Sequence, residues 1–514
     1  MKKTLSIILT LVIAFSLTLS TFASGKECNC GTSPVIFVHG FGSYPLYIDP
    51  ESDNPDTAFP PNTKAIMSSI PDIIKVINTL LITKNYSRCA DGLIDILEKM
   101  MGSLACDENG NSLYNVGPEI HELPTVDKHR GHNYNFDTQL DGHENYDQYD
   151  YYYDFRLDPM DNAKGLADYI KHIKKLTNHS KVMLVCHSQG NTIVSAYLAQ
   201  YGAESVEKTV FLSPAYLGLS LIGNMFTENV SLQGKSDAFT LYFKGLLGND
   251  PAGKLAGAII SVLNDYGVMP YLINALADLF DAEFDRVFNT ALLRVFGTMP
   301  GIWSFCPDEY YKEAKSNVFG DSDKYAGLIK KIDNYHYNVQ TKLVSTLNSA
   351  KNQGMKFAIT AGYNISSIPL AKGDEVQSDM LIDTEYMSIG ATGAKPGCTF
   401  EEGYKQAKYK NGKNYVSPDN IIDASTCVYP DRTWFFKDQG HDKFTDGYTA
   451  FVTDLLLYKG QPTIENMKSY TQFMTNDSKG NLVSITGPDI GKDDSNLKII
   501  IDSLGELILG GIKK

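Results

Sequence analysis

A chain of 514 residues with 43% apolar and 21% charged residues is ordinary globular material, enough for one large domain with insertions or for two domains, and it excludes intrinsic disorder. The formal charge of −14 argues against nucleic acid as a partner and against electrostatic docking on anionic membranes. Any contact with lipid is left to apolar surface.

Lys2 and Lys3 precede an apolar run over 5–19, and Thr21-Phe22-Ala23 offers a small-residue cleavage site. Residues 1–24 therefore read as a secretory signal peptide and the mature protein as secreted, with an uncleaved anchor as the alternative. Export would permit disulfides among the eight cysteines. Cys89 with Cys106, and Cys398 with Cys427, enclose loops of reasonable length. Cys28 and Cys30 are too close to pair comfortably, so each needs another partner, Cys306 among them. Cys186 is expected buried and unpaired.

The first ordered element is the continuous apolar run Val35-Ile36-Phe37-Val38, as in a strand buried on both faces. His39-Gly40-Phe41-Gly42 follows. Glycines at a strand end let the backbone approach a reacting group, so the Phe41 N–H is a candidate oxyanion donor; a simple glycine-rich turn is the alternative. Residues 45–145 do not read as core sheet. Helices over 70–82 and 93–104 suggest a lid-like insertion. His121, His129, His132 and His143 lie in a polar stretch without compact metal-ligand spacing and read as solvated loop histidines. The tyrosine run 146–153 suits a packed strand better than a sugar-stacking platform, and Pro159 opens a helix over 161–176.

An apolar strand over 182–187 then ends in Cys186-His187-Ser188-Gln189-Gly190, and a helical pattern starts at once. This is the strand–turn–helix setting of a nucleophile elbow, whose turn demands small residues two positions either side of the serine. Gly190 meets that demand and Cys186 meets it approximately. Another buried-type strand follows over 209–214. Strands alternating with helices to this point imply a parallel sheet. The alternation stops over 217–352, where the pattern is helical and apolar. Leu272, Leu276, Leu279 and Phe280 share one face, and Phe288, Leu292 and Phe296 repeat the spacing. Above the sheet's carboxyl edge such an insertion is a cap with an acyl-binding wall; a second packed helical layer is the alternative. A strand pattern returns over 356–363, and the stretches 377–383 and 433–441 follow, the latter opening on a Trp-Phe-Phe strand. A helix spans 447–458, and 461–514 form a C-terminal extension with an apolar stretch over 497–512.

A serine hydroxyl needs an adjacent base, usually histidine, oriented by a carboxylate. In the order Ser, acid, His only His336 and His441 follow Ser188. His336 lies inside a helical pattern. His441 follows a strand through Gln439-Gly440 and is the candidate base. Asp379, at a loop edge beside Met380-Leu381-Ile382, is the candidate acid, with Asp383 and then Asp374 behind it.

The segments Pro34–Gly42, Tyr153-Asp154-Phe155-Arg156 and Cys186–Asn191, with weaker support from Met299-Pro300-Gly301-Ile302-Trp303, resemble the lecithin:cholesterol acyltransferase family of the α/β-hydrolase superfamily. The resemblance spans roughly residues 30–455 in short islands. It implies an α/β-hydrolase fold over 25–460, with a mainly parallel sheet flanked by helices and a helical cap. It also implies a serine acyl-enzyme on an ester lipid, and no metal or organic cofactor. The family's triad maps onto Ser188, Asp379 and His441, and its oxyanion donors onto the N–H groups of Phe41 and Gln189. The chain departs from the pattern at Cys186 for Gly, at Phe155 for Trp, and at Asp379-Met380, where the family often has Asp-Gly. The expected activity is therefore an exported lipase- or phospholipase-type acyl hydrolase or an acyltransferase. An esterase for cell-wall, polysaccharide or polyester substrates is the alternative, and a non-enzymatic binding protein is less favoured.

Overall fold

The computed structural model describes residues 28, 31–118, 149–247, 251–372, 375–408 and 412–487. Residues 1–24, His121, His129, His132, His143, Cys30, Asp374 and the stretch 497–512 lie outside the described residues.

Eight strands form the central sheet: β1 Val35–Val38, β2 Tyr149–Tyr151, β3 Val182–His187, β4 Val206–Leu212, β5 Lys356–Tyr363, β6 Thr433–Lys437, β7 Phe473–Asn476 and β8 Leu482–Ser484. Their spatial order is β8-β7-β6-β5-β4-β3-β1-β2, and every neighbouring pair is parallel except β7 with β8. The protein is thus a mixed α/β structure with a mostly parallel sheet. Because β7 and β8 belong to it, the sheet runs past residue 460 into the C-terminal extension.

Side-chain alternation explains why the central strands read as unbroken apolar runs. Ile36, Val38, Leu184 and Cys186 point to one face, where the helices Pro159–Thr177, Gly190–Tyr201 and Leu343–Asn352 pack. Val35, Phe37, Met183, Val185, Trp434 and Phe436 point to the other, covered by the helix Asp446–Leu457. A third core, containing Phe155, Leu219, Phe288, Trp303, Phe305 and Tyr363, joins the insertions to the sheet.

The lid-like insertion holds the helices Thr63–Asn78 and Tyr86–Met101, both starting earlier than the apolar pattern suggests. Asn62 and Asn85 cap them by accepting from the N–H groups of Ala65 and Arg88, at 2.8 and 3.0 Å. The two helices pack on each other, and the second, with the turn Thr79–Thr83, packs against Val268–Val287 around a small separate core of Val76, Leu80, Cys89, Ile96, Ala275 and Leu279. Among the described residues, the expected Cys89–Cys106 and Cys398–Cys427 disulfides do not form. Cys89 is a free thiol in that small core, whereas Cys106 is free in the third core. Cys398 is free and exposed while Cys427 is buried, and Cys306 and Cys28 are also free.

Candidate active site

Ser188 sits at the carboxyl end of β3 with φ +53°, a left-handed conformation that a residue with a Cβ adopts only under constraint. Its N–H donates to Leu212 O at 3.1 Å, and its carbonyl accepts from the N–H groups of Asn191 and Ala215 at 3.1 and 3.2 Å. Two glycines make the turn possible. A Cβ on Gly190 would lie 2.1 Å from Val38 O, and one on Gly40 would lie 2.8 Å from the Ser188 Cβ.

Cys186, where a glycine is usual, has a structural reason. Its buried thiol donates to Asn191 Oδ1 at 3.1 Å, while Asn191 Nδ2 donates to Ser188 O at 2.9 Å. Burial pushes the thiol pKa well above its ordinary value, so it stays neutral and donates. Cysteine and asparagine together thus brace the strained turn.

His441 Nε2 lies 2.9 Å from Ser188 Oγ, and His441 Nδ1 lies 2.7 Å from Asp379 Oδ2. A carboxylate only accepts, so Nδ1 carries the proton and Nε2 presents its lone pair to the serine O–H. The second carboxylate oxygen accepts from the N–H groups of Leu381 and Ile382 at 3.1 and 2.8 Å. The backbone repeats the clamp, since His441 N–H donates to Asp379 O at 2.9 Å. Burial pulls the His441 pKa down, but the charge and hydrogen bond of Asp379 outweigh it, and the net shift is upward. The three side chains are all buried, Ser188 being 5% exposed.

Gly362, at the end of β5, allows that approach: a Cβ there would lie 2.6 Å from the Asp379 Cβ and 2.7 Å from Gln439 O. Met380, with φ +90°, turns the chain so that the Asp379 carboxylate meets the next two N–H groups. A glycine would adopt that angle without strain. The angle is thus one that favours the Asp-Gly form of the pattern, and Met380 departs from it at a cost in backbone strain.

The other candidates lie elsewhere. Asp383 accepts from Ser220 Oγ and N at 2.6 and 2.8 Å, holding the start of the helix Ser220–Phe226; burial, the largest influence, pushes its pKa up to about 6. His336 is stacked 3.6 Å from Tyr311, with its nitrogens on Gln340 and Asp308.

Phe41 follows β1, and Gln189 follows Ser188. Among the described residues, neither backbone N–H donates to a protein acceptor. The Gln189 side chain donates to Phe155 O at 2.8 Å and Gly301 O at 3.3 Å, and a Cβ on Gly301 would lie 1.9 Å from Phe155 O. The islands around 155, 189 and 301 therefore meet in one backbone contact. Arg156, fully buried, pairs with Asp154 and donates to the carbonyls of Leu104 and Val116, at 2.9 Å each, tying the lid-like insertion to this floor.

The tyrosine run anchors the glycine turn. His39 Nε2–H donates to Asp150 Oδ1 at 3.0 Å, and Tyr153 O–H donates to His39 O at 2.7 Å. His187 holds the segment carrying the candidate base, its Nε2 lying 3.0 Å from His441 O. Burial, and then the nearby His441, hold the His187 pKa well below its usual value, so it is a neutral donor. Sequence reasoning missed Gly362, Asn191, His39 and His187. The Ser188-x-x-Asn191 spacing and the two His-bearing turns were the available signals.

No family model matches the chain, and no curated protein matches it. Among solved structures it is similar to the crystal structure of a Tle4-Tli4 complex, at 12% identity over 65% of this chain and 75% of that one. The TM-score is 0.25, at which the likeness carries no argument about fold or activity.

Proposed function

We propose that the chain is a serine-dependent carboxylic-ester hydrolase or acyltransferase of the α/β-hydrolase type, exported and acting on lipid esters. The observation that carries the reading is the hydrogen-bonded line from Ser188 Oγ through His441 to Asp379, at 2.9 and 2.7 Å. Ser188 Oγ attacks the ester carbonyl as His441 Nε2 takes its proton. Asp379 holds the tautomer and stabilises the imidazolium. The N–H groups of Phe41 and Gln189 receive the oxyanion, a stabilisation of about 3–4 kcal/mol per donor in comparable sites. The tetrahedral intermediate collapses to the Ser188 acyl-enzyme, and His441 returns the proton to the departing alcohol. Water or a second alcohol then takes the acyl group by the reverse sequence.

Lipid is the favoured substrate because the insertions offer apolar surface. Ile66, Met67, Ile70, Ile74 and Ile77 are exposed on one helix, and Tyr266, Tyr271, Leu272 and Leu276 on the cap. The stretch Lys64–Thr83 is long and apolar enough to cross a membrane, and only 17% of its apolar window is buried. Apolar surface of this kind marks a docking face for lipid or protein. Turnover of p-nitrophenyl esters of graded chain length, with Ser188→Ala as control, tests the proposal. Long chains should be preferred and the variant inactive. Near-native turnover by Ser188→Ala would sink the serine assignment, and a strong preference for acetyl would favour the non-lipid esterase.

A further inference from the structure

We propose that His187, His441 and Asp442 form an inhibitory site for a borderline transition-metal ion, zinc above all, which competes with the serine for the base. This is the group among the described residues whose ligating atoms converge from three side chains, all within 4.8 Å of one another. Two imidazoles and one carboxylate suit Zn²⁺, Cu²⁺ or Ni²⁺ and not the oxygen-seeking Ca²⁺ or Mg²⁺.

His187 Nε2 and Asp442 Oδ1 are 4.0 Å apart. With metal–nitrogen bonds of about 2.0–2.1 Å, tetrahedral donors stand roughly 3.3 Å apart, so the group must contract by about an ångström. The Asp442 side chain is 70% exposed and can swing inward, which also gives the ion a route from solvent.

The consequence for the relay follows from the imidazole's two nitrogens. His441 Nδ1 is engaged with Asp379 and Nε2 with Ser188. Whichever nitrogen takes the metal, one of those hydrogen bonds is lost. Metal binding and proton transfer are therefore mutually exclusive. At His187 the ion takes the place of the Nε2 proton and of its hydrogen bond to His441 O, the proton being released to solvent. No electron changes hands, and removing the ion restores the relay.

The inhibitory part rests on the hydrolase reading; the binding part does not. Zinc chloride is titrated calorimetrically into the full chain carrying Ser188→Ala, with and without Asp442→Asn. The expected result is one ion per chain, bound roughly tenfold or more weakly when Asp442 is asparagine. Ester hydrolysis by the chain with Ser188 intact, normalised to each variant's metal-free rate, should fall over the same concentrations and return with EDTA. Equal affinity with and without Asp442→Asn overturns the proposal, as does no binding at millimolar zinc. A chain that binds zinc through Asp442 yet hydrolyses no ester would contradict the hydrolase reading and support the site.

Discussion

The carboxyl edge of the sheet and the helical insertions are built on opposite terms. Around Ser188 the triad side chains are hydrogen-bonded in one line, and glycines at 40, 190 and 362 bring backbones closer than any side chain would allow. On the helix Thr63–Asn78, isoleucines and a methionine face outward with little covering them. The first region spends its apolar burial on holding one arrangement. The second keeps apolar surface in reserve. The contrast teaches that the proposed chemistry is preorganised while access to it is narrow, since the serine is only 5% exposed.

The comparison is broken most severely at the acid. Asp379→Asn should lower kcat/KM about 10⁴-fold by disturbing the tautomer, whereas Asp383→Asn, which alters a helix start, should cost far less activity and show mainly in Tm. Asp379→Asn also tests the electrostatics. A raised His441 pKa means that the base loses its proton above the ordinary value of 6.5, so the acid limb of kcat/KM should turn above that value. Without the carboxylate, burial is opposed only by the smaller upward pull of Asp442, and the limb should move down. An unmoved limb would show that Asp379 does not face the working base.

Replacing Ile66, Met67, Ile74 and Ile77 together by serine should leave hydrolysis of a soluble short ester near native and lower turnover of a dispersed long-chain ester roughly tenfold. A parallel fall on both substrates would show that this face supports the fold and not access. Exposed substitutions of this kind rarely change stability by more than about 0.5 kcal/mol each.

Smaller effects sharpen the picture of the site. Cys186→Gly leaves a cavity and strands Asn191 Oδ1, and should destabilise by about 1–3 kcal/mol in denaturant titration while hydrolysis persists. The motif alone, in which glycine is the usual residue, suggests a harmless change. Met380→Gly should relieve left-handed strain and raise stability by about 1 kcal/mol or less, the gain being offset by entropy in the unfolded chain.

What could be read from the chain was local. The runs at Val35–Val38 and Val182–His187 announce buried strands because both faces of each strand are covered, and the sharp change of period after Gly190 announces the helix. Helix starts were misplaced because the capping asparagines, Asn62 and Asn85, lie outside the apolar pattern. Contacts between distant segments left no local trace. The place of Gly362 against Asp379, the grip of Arg156 on Leu104 and Val116, and the separation of Cys89 from Cys106 depend on which elements meet. Loop length suggested disulfides, but loop length does not report which core a cysteine joins.

The most direct measurement is covalent. The full chain is treated with a fluorophosphonate probe, digested, and its labelled peptides identified by mass spectrometry, with His441→Ala alongside. The account predicts a single adduct, on Ser188, that fails to form when His441 is absent. A Ser188 left unmodified under conditions that label a known serine hydrolase, or one labelled equally well without His441, would contradict it.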